Sequence, residues 1–444
     1  MVHTFKCLDR NFALDVESGS VFEIDELTKD LIDLQGAPLD KTKGAFSCYS
    51  QEEIAEAQAE IQSLIDAKVL FTPEQPHNPP SYGGVVKALC LNISHNCSLR
   101  CEYCFADGGS YSTARLNMDK NVAFAAIDFL IKKSGTRRNL EVDFFGGEPL
   151  LNMDVVKDTV AYARSKEQEA NKNFRFTITT NAYMLSDEDI DFFNKEMYNV
   201  VLSIDGRKEV HNCVRKTAKG EDSFDAVLSN ALHFRAKRGD KQYYIRGTFT
   251  ALNKDFATDA LYLNDMGFDQ ISLEPVVLPD THRLAIKESD VDELTKQYEI
   301  LAKEYIERRK TDKWFNFFHF MIDISGGPCE SKRLVGCGAG NEYLAIAPSG
   351  NIYPCHQFDG KPDYVIGNVL SGDFDDTLPK KFACANLTTK PECLKCWAKY
   401  YCSGGCAANS VNFCGDINKP YTITCALMKK RVECAIAIKA IEGK

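Results

Sequence analysis

Between Val86 and Val276 short apolar runs alternate with longer segments whose apolar positions recur at helical spacing. The runs VKALCLNIS (86–94), LEVDFFGG (140–147), FRFTITTN (174–181), NVVLSIDG (199–206), YYIRGTFT (243–250) and FDQISLEPV (268–276) predict strands. Helices are predicted over 122–134, 155–170, 187–196, 224–239 and 256–267. Strand and helix in strict alternation imply a parallel sheet with helical cover. About six strands predict an α/β fold of the partial (β/α)6 barrel type rather than a full eight-stranded barrel. Ligands then belong at the C-terminal ends of the strands.

The flanking patterns differ. FALDVESGSVFEID (12–25) alternates about Ser18-Gly19 and predicts a β-hairpin. Helices follow over 26–34 and over 52–70, where Ile54, Ala57, Ile61, Leu64 and Ile65 share a face. A small winged-helix-like unit is the expectation for 1–75, with a Pro/Gly-rich linker over 76–85. The barrel spans 86–312 and ends in a helix over 290–311. In 313–444 the short strands YLAIAP and NIYPC alternate with Gly, Pro and Cys before a closing helix over 425–442. That composition predicts a small domain held together by inorganic sites rather than by a large core.

Hydrophobic residues make up 44% and charged residues 26%, the balance of an ordinary globular protein of 444 residues. A net charge of −10 argues against a nucleic-acid backbone as the main partner. No run reaches 18 apolar residues, so no membrane span is expected, and MVHTFKCLDRNFALD lacks the pattern of a signal peptide. The cytosol is the expected location. There, 18 cysteines point to metal or metal–sulfur ligation rather than disulfides.

Cys97, Cys101 and Cys104 stand in HNCSLRCEYCF directly after the first barrel strand. Structural zinc wants four ligands. Three thiolates suit a four-iron cluster with one iron left open to a substrate or cofactor. Zinc with His95 as fourth ligand, or three unligated loop thiols, are the alternatives. A second field contains Cys337, Cys355, Cys393, Cys396, Cys402, Cys406 and Cys425, with Cys329 and Cys414 as spare thiols. Cys7, Cys48, Cys90, Cys213, Cys384 and Cys434 are most simply core or surface residues. Zinc remains an alternative for CxxC…CxxxC.

CSLRCEYC resembles the CxxxCxxC motif of the radical S-adenosylmethionine (SAM) enzymes, with the aromatic Tyr103 before the last cysteine. The resemblance implies a cluster on Cys97, Cys101 and Cys104 whose open iron binds the cofactor's methionine group. Its reductive cleavage then gives a 5′-deoxyadenosyl radical. FFGGEPLL is similar to the family's GGEP motif, so Gly146, Gly147 and Glu148 belong near the methionine amino group. A glycine pair lets backbone approach a ligand closely. TTN and SID put Thr180, Asn181, Ser203 and Asp205 on the cofactor side, the last two toward the ribose. Arg246 on a later strand is a further cofactor candidate, or else one half of a buried pair with Glu274.

The second field resembles a SPASM domain, which implies two auxiliary clusters. Cys393, Cys396, Cys402 and Cys425 would hold the outer one; Cys337, Cys355 and Cys406 the inner. No further cysteine lies between Cys337 and Cys355, which leaves an inner iron open to a substrate thiolate unless Cys329 fills it. With FALDVESGSVFEID, LSIDGRKEV and CSGGCAANSVNFCGDINKPY included, nearly the whole chain is similar to the maturases of six-cysteine SCIFF peptides. That resemblance implies three [4Fe-4S] clusters, S-adenosylmethionine and a low-potential electron donor. It implies a six-cysteine precursor peptide bound through its leader, as a strand added to the N-terminal unit. The reaction implied is a thioether crosslink from cysteine sulfur to threonine carbon. Oxidation of a residue in the manner of sulfatase maturases, and a non-catalytic electron carrier, are the alternatives.

Overall fold

The computed structural model describes residues 1–34, 46–74, 76–77, 82–324 and 334–443. Cys329 lies outside the described residues.

Strands β1 (Val2–Cys7), β2 (Arg10–Asp15) and β3 (Val21–Ile24) form an antiparallel sheet in that order. Helices Glu26–Asp33 and Gln51–Asp66 pack on it around Ala13, Ile32, Ile61 and Leu70. The pattern predicted two of the three strands. β1 joins β2 through Leu8-Asp9, both at positive φ (53° and 61°). Hairpins with positive φ at both turn residues usually announce themselves with Asn-Gly; Leu-Asp gives no such signal. The second helix opens with a Ser50–Glu53 capping box. It ends four residues short of expectation because Lys68 turns left-handed, at φ 58°.

The barrel strands are β4 (Ala88–Ser94), β6 (Asn139–Gly146), β7 (Asn173–Thr180), β8 (Met197–Ser203), β10 (Tyr243–Phe249) and β11 (Gln270–Pro275). They are parallel neighbours in that order. Helices Lys120–Lys133, Met153–Ala170, Asp187–Glu196, Phe224–Arg238, Phe256–Asp265 and Val291–Arg308 follow them in turn. Leu140, Val142 and Phe144 of β6 are fully buried, and so are Phe176 and Ile178 of β7. The alternating residues Asp143, Phe145, Thr177, Thr179, Ser203 and Arg246 stay partly open. Parallel sheets usually bury both faces; this alternation marks a lumen. Between the barrel strands, β5 (Leu99–Cys101) pairs antiparallel with β9 (Arg215–Thr217).

The C-terminal region is less separate than its composition implied. β12 (Asn316–Phe317) extends the sheet beside β11, and β13 (Tyr343–Ile346) runs parallel to β4 on the other edge. β14 (Asn351–Tyr353), β15 (Gly367–Asn368) and β16 (Asp373–Phe374) continue it antiparallel, giving eleven strands. Helix Thr422–Glu442 packs against helix Val291–Arg308 and reaches β1 and β3. The N-terminal sheet is fastened there as well. His3 stacks on Trp397 at 3.8 Å, and buried Lys399 pairs with Glu17 (2.7 Å) and Glu74 (2.9 Å). Cys7 and Cys434 meet in the core, sulfur to sulfur, at 3.8 Å.

Candidate active site

The Cys97–Cys104 loop leaves the C-terminal end of β4. Gly147 N donates to Ser94 O (2.7 Å) and Glu148 N to Asn96 O (2.8 Å), so the end of β6 lies against this loop. A Cβ on Gly147 would fall 2.2 Å from Asn96 O, and one on Gly109 would fall 2.8 Å from Gly147 Cα. The glycines of the GGEP segment thus serve packing against the cysteine loop first of all. Glu148 caps the turn that Pro149 begins. Its buried carboxylate accepts from Thr180 Oγ1 (2.6 Å), Asn181 N (2.8 Å) and Leu150 N (3.1 Å). Burial still pushes it up to about 7 against those three bonds.

Cys97 lies in the field of Cys101 and Cys104, and Cys101 in that of Cys104. Burial, then Glu148, pushes the Cys97 thiol up to about 12. Cys101 rises to about 11 by burial, opposed by Arg215. Asn181 Nδ2 donates to Cys97 Sγ at 3.6 Å, and Arg215 Nη1 to Cys101 Sγ at 3.8 Å. Donors to cluster sulfurs are a recognised way to tune a cluster.

Arg215 escaped the sequence reading. It faces Cys101 across the β5–β9 ribbon. Its Nε donates to Asp205 Oδ2 at 2.8 Å, and the same oxygen accepts from Tyr103 Oη at 2.6 Å. Thr248 N donates to Asp205 Oδ1 at 2.9 Å. Asp205 is 1% exposed, with both oxygens engaged. The three side chains form one buried unit beneath the loop. Nothing periodic marks Arg215; only its place ten residues after Asp205 connects the two. His95 bonds Asp359 (2.8 Å) and Thr113 (3.0 Å), which ties the loop to the C-terminal region.

The remaining predicted ligand thiols fall into two groups. Burial first, then Cys406 and Cys337 among other groups, pushes Cys355 up to about 12, and Cys337 also raises Cys406. Cys393, Cys396, Cys402 and Cys425 form the other group, with Cys425 pushed up to about 12 by burial and then by its three partners. A single zinc would need its thiolates all about 2.3 Å from one centre. Among the described residues no three His, Cys, Asp or Glu side chains converge in that way. Soft thiol donors grouped as three, three and four, most of them partly accessible, fit iron–sulfur clusters. Cys414 has Lys419 and Glu392 as its charged neighbours instead. Cys7, Cys90 and Cys434 are buried, while Cys48, Cys213 and Cys384 are exposed; no disulfide forms among the described cysteines.

The loops that carry the first and second groups meet through aromatic rings. Phe105 follows Cys104, His356 follows Cys355, and their rings lie 5.4 Å apart. Phe145 of β6 stacks on His356 at 5.0 Å. Arg246 opens into the lumen beside Ser203. It is not the ion-pair partner of Glu274, which takes Arg431 (3.3 Å) and His319 (3.4 Å). A cavity of about 230 Å³ joins Glu274 and Arg431 to Cys402, Cys406 and Cys425.

Residues 91–250 match the radical SAM superfamily and residues 337–397 an iron–sulfur cluster-binding domain, SPASM. The chain therefore has the radical SAM α/β fold with a C-terminal SPASM domain. The cysteine-type anaerobic sulfatase-maturating enzyme of Clostridium novyi (strain NT) is 25% identical over 348 residues, 73% of this chain and 89% of the relative. Among solved structures, native anSMEcpe with bound AdoMet superposes with a TM-score of 0.65 at 20% identity, covering 81% of this chain and all of that one. Streptococcus suis SuiB bound to S-adenosylmethionine gives 0.55 at 19% identity, covering 93% and 96%. Among the described residues no helix is long and apolar enough to cross a membrane.

Proposed function

We propose that this chain is a radical SAM peptide maturase that joins cysteine sulfur to threonine carbon in a six-cysteine precursor peptide. The observation that carries the proposal is the contact between the two thiol-bearing loops, where Phe105, next to Cys104, lies 5.4 Å from His356, next to Cys355. A site that attacks a C–H bond and a site that holds a thiolate are then within reach of one peptide segment, which is the main demand of a crosslinking reaction.

Cys97, Cys101 and Cys104 would hold the radical cluster, Cys337, Cys355 and Cys406 the inner cluster, and Cys393, Cys396, Cys402 and Cys425 the outer. S-adenosylmethionine, when bound there, would supply the radical chemistry. The Gly146–Gly147 backbone and Glu148 flank its methionine end. Thr180 orients Glu148, and Asn181 donates to Cys97. Ser203 and Arg246 line the lumen where the nucleoside and the peptide meet, and Asp205 keeps Tyr103 and Arg215 in register under the loop. Unless Cys329 completes it, a cluster on Cys337, Cys355 and Cys406 would have room for a substrate thiolate, whose pKa coordination would lower. The leader adds a strand to the N-terminal sheet, whose outer strands are β1 and β3. A low-potential donor would reduce the clusters.

A second reading, maturation of a sulfatase by oxidation at one residue, is favoured by the likeness to the Clostridium novyi enzyme. The test is anaerobic reconstitution with a candidate six-cysteine peptide, followed by fragmentation mass spectrometry. The proposal expects a loss of two hydrogens per crosslink, with fragments missing between Cys and Thr. A mass change confined to one residue points to the second reading. An unchanged peptide beside cofactor cleavage rejects the substrate.

A further inference from the structure

Two lysines are buried within ten residues of each other near the auxiliary thiols. Lys399, 1% exposed, has two carboxylate partners, Glu17 and Glu74. Lys390, 2% exposed, has none in ion-pair range among the described residues; its Nζ donates to Gly404 O at 2.8 Å. A buried ammonium needs an anionic partner, because a single carbonyl does not replace its lost hydration.

The position of Lys390 names that partner. Gly404 sits midway between Cys402 of the outer group and Cys406 of the inner group. Its φ of +83° turns the chain there, and a Cβ on it would touch Lys390 Cδ at 3.4 Å. The Lys390 carbonyl in turn accepts from Cys393 N (2.9 Å) and Leu394 N (3.0 Å), so the residue also shapes the turn that carries Cys393. The nitrogen therefore holds the turn that links Cys402 to Cys406. We infer that Lys390 is the shared counter-charge of both auxiliary sites, held at their junction to set the reduction potentials of the clusters they carry. This rests on the reading that the two groups hold clusters. Once thiolates and cluster bring negative charge, a fixed cation favours the more negative, reduced state and so raises the potential.

The test uses full-length chain reconstituted anaerobically in a C97A/C101A/C104A background, so that only auxiliary clusters titrate. Iron content and midpoint potentials are measured by redox titration with electron paramagnetic resonance for the background alone and with K390M, K390R or K399M added. The expected result is auxiliary iron retained in all, both midpoints more negative in K390M, and both unchanged in K390R and K399M. Unchanged midpoints in K390M, a shift in only one cluster, or an equal shift in K399M overturns the inference. If K390M loses its auxiliary iron, K390R decides: native iron and potentials support the charge role, and loss in K390R as well overturns it in favour of packing. No auxiliary iron in the background chain overturns the cluster reading and the inference together.

Discussion

Asp143 points from β6 into the lumen, and burial, then Glu141, pushes its carboxyl up to about 7 from an ordinary 3.8. The sign follows from linkage. Between about pH 4 and 7 the folded chain keeps this proton and the unfolded chain has released it, so stability falls as pH rises through that window. Between pH 6 and 8 the native chain should lose roughly 1 kcal/mol that Asp143→Asn does not lose. Urea unfolding of both cluster-loaded proteins at the two pH values checks this, and equal slopes would reject it. The residues most legible in the sequence were those whose chemistry fixes their spacing, Cys97, Cys101 and Cys104, and the Gly-Gly-Glu-Pro turn. Arg215 was not legible, because an arginine in a short strand looks like any surface residue until β9 pairs with β5. The alternative reading of Arg246, a pair with Glu274, does not hold, because Arg431 arrives from the closing helix and sequence alone gives no register between elements so far apart.

The strand that ends in Gly146-Gly147 shows what an element contributes beyond its side chains. Its last turn has to lie against the backbone of Asn96 and Gly109, and any Cβ at Gly147 blocks that approach. Gly147→Ala should therefore lose about one third of the bound iron, one cluster in three, together with cofactor cleavage, while circular dichroism keeps the native helix content. Gly83→Ala, where a Cβ meets nothing within 4 Å, is the control and should match the native chain. Full iron and cleavage in Gly147→Ala would contradict the packing role. Apolar periodicity located the barrel strands and helices to within a few residues, because each must bury one face against its neighbours. It missed β1, where the turn residues carried no glycine, and β12, which is too short for any period to register.

Across the molecule, three regions share one framework. The barrel sheet continues into the SPASM region through β13, and the N-terminal sheet is fastened to that region by His3, Glu17 and Glu74. A clustered set of cysteines told of inorganic sites, but not that their scaffold would hydrogen-bond to β4 more than 250 residues earlier. Pairing at that distance leaves no local pattern. The proposed chemistry needs ten thiols held as three separate sets. Iron bound per chain after anaerobic reconstitution, in the native protein and in C97A/C101A/C104A, tests this most directly. Three four-iron clusters predict about twelve irons falling to about eight. About four in the native chain, or no fall in the variant, would contradict it.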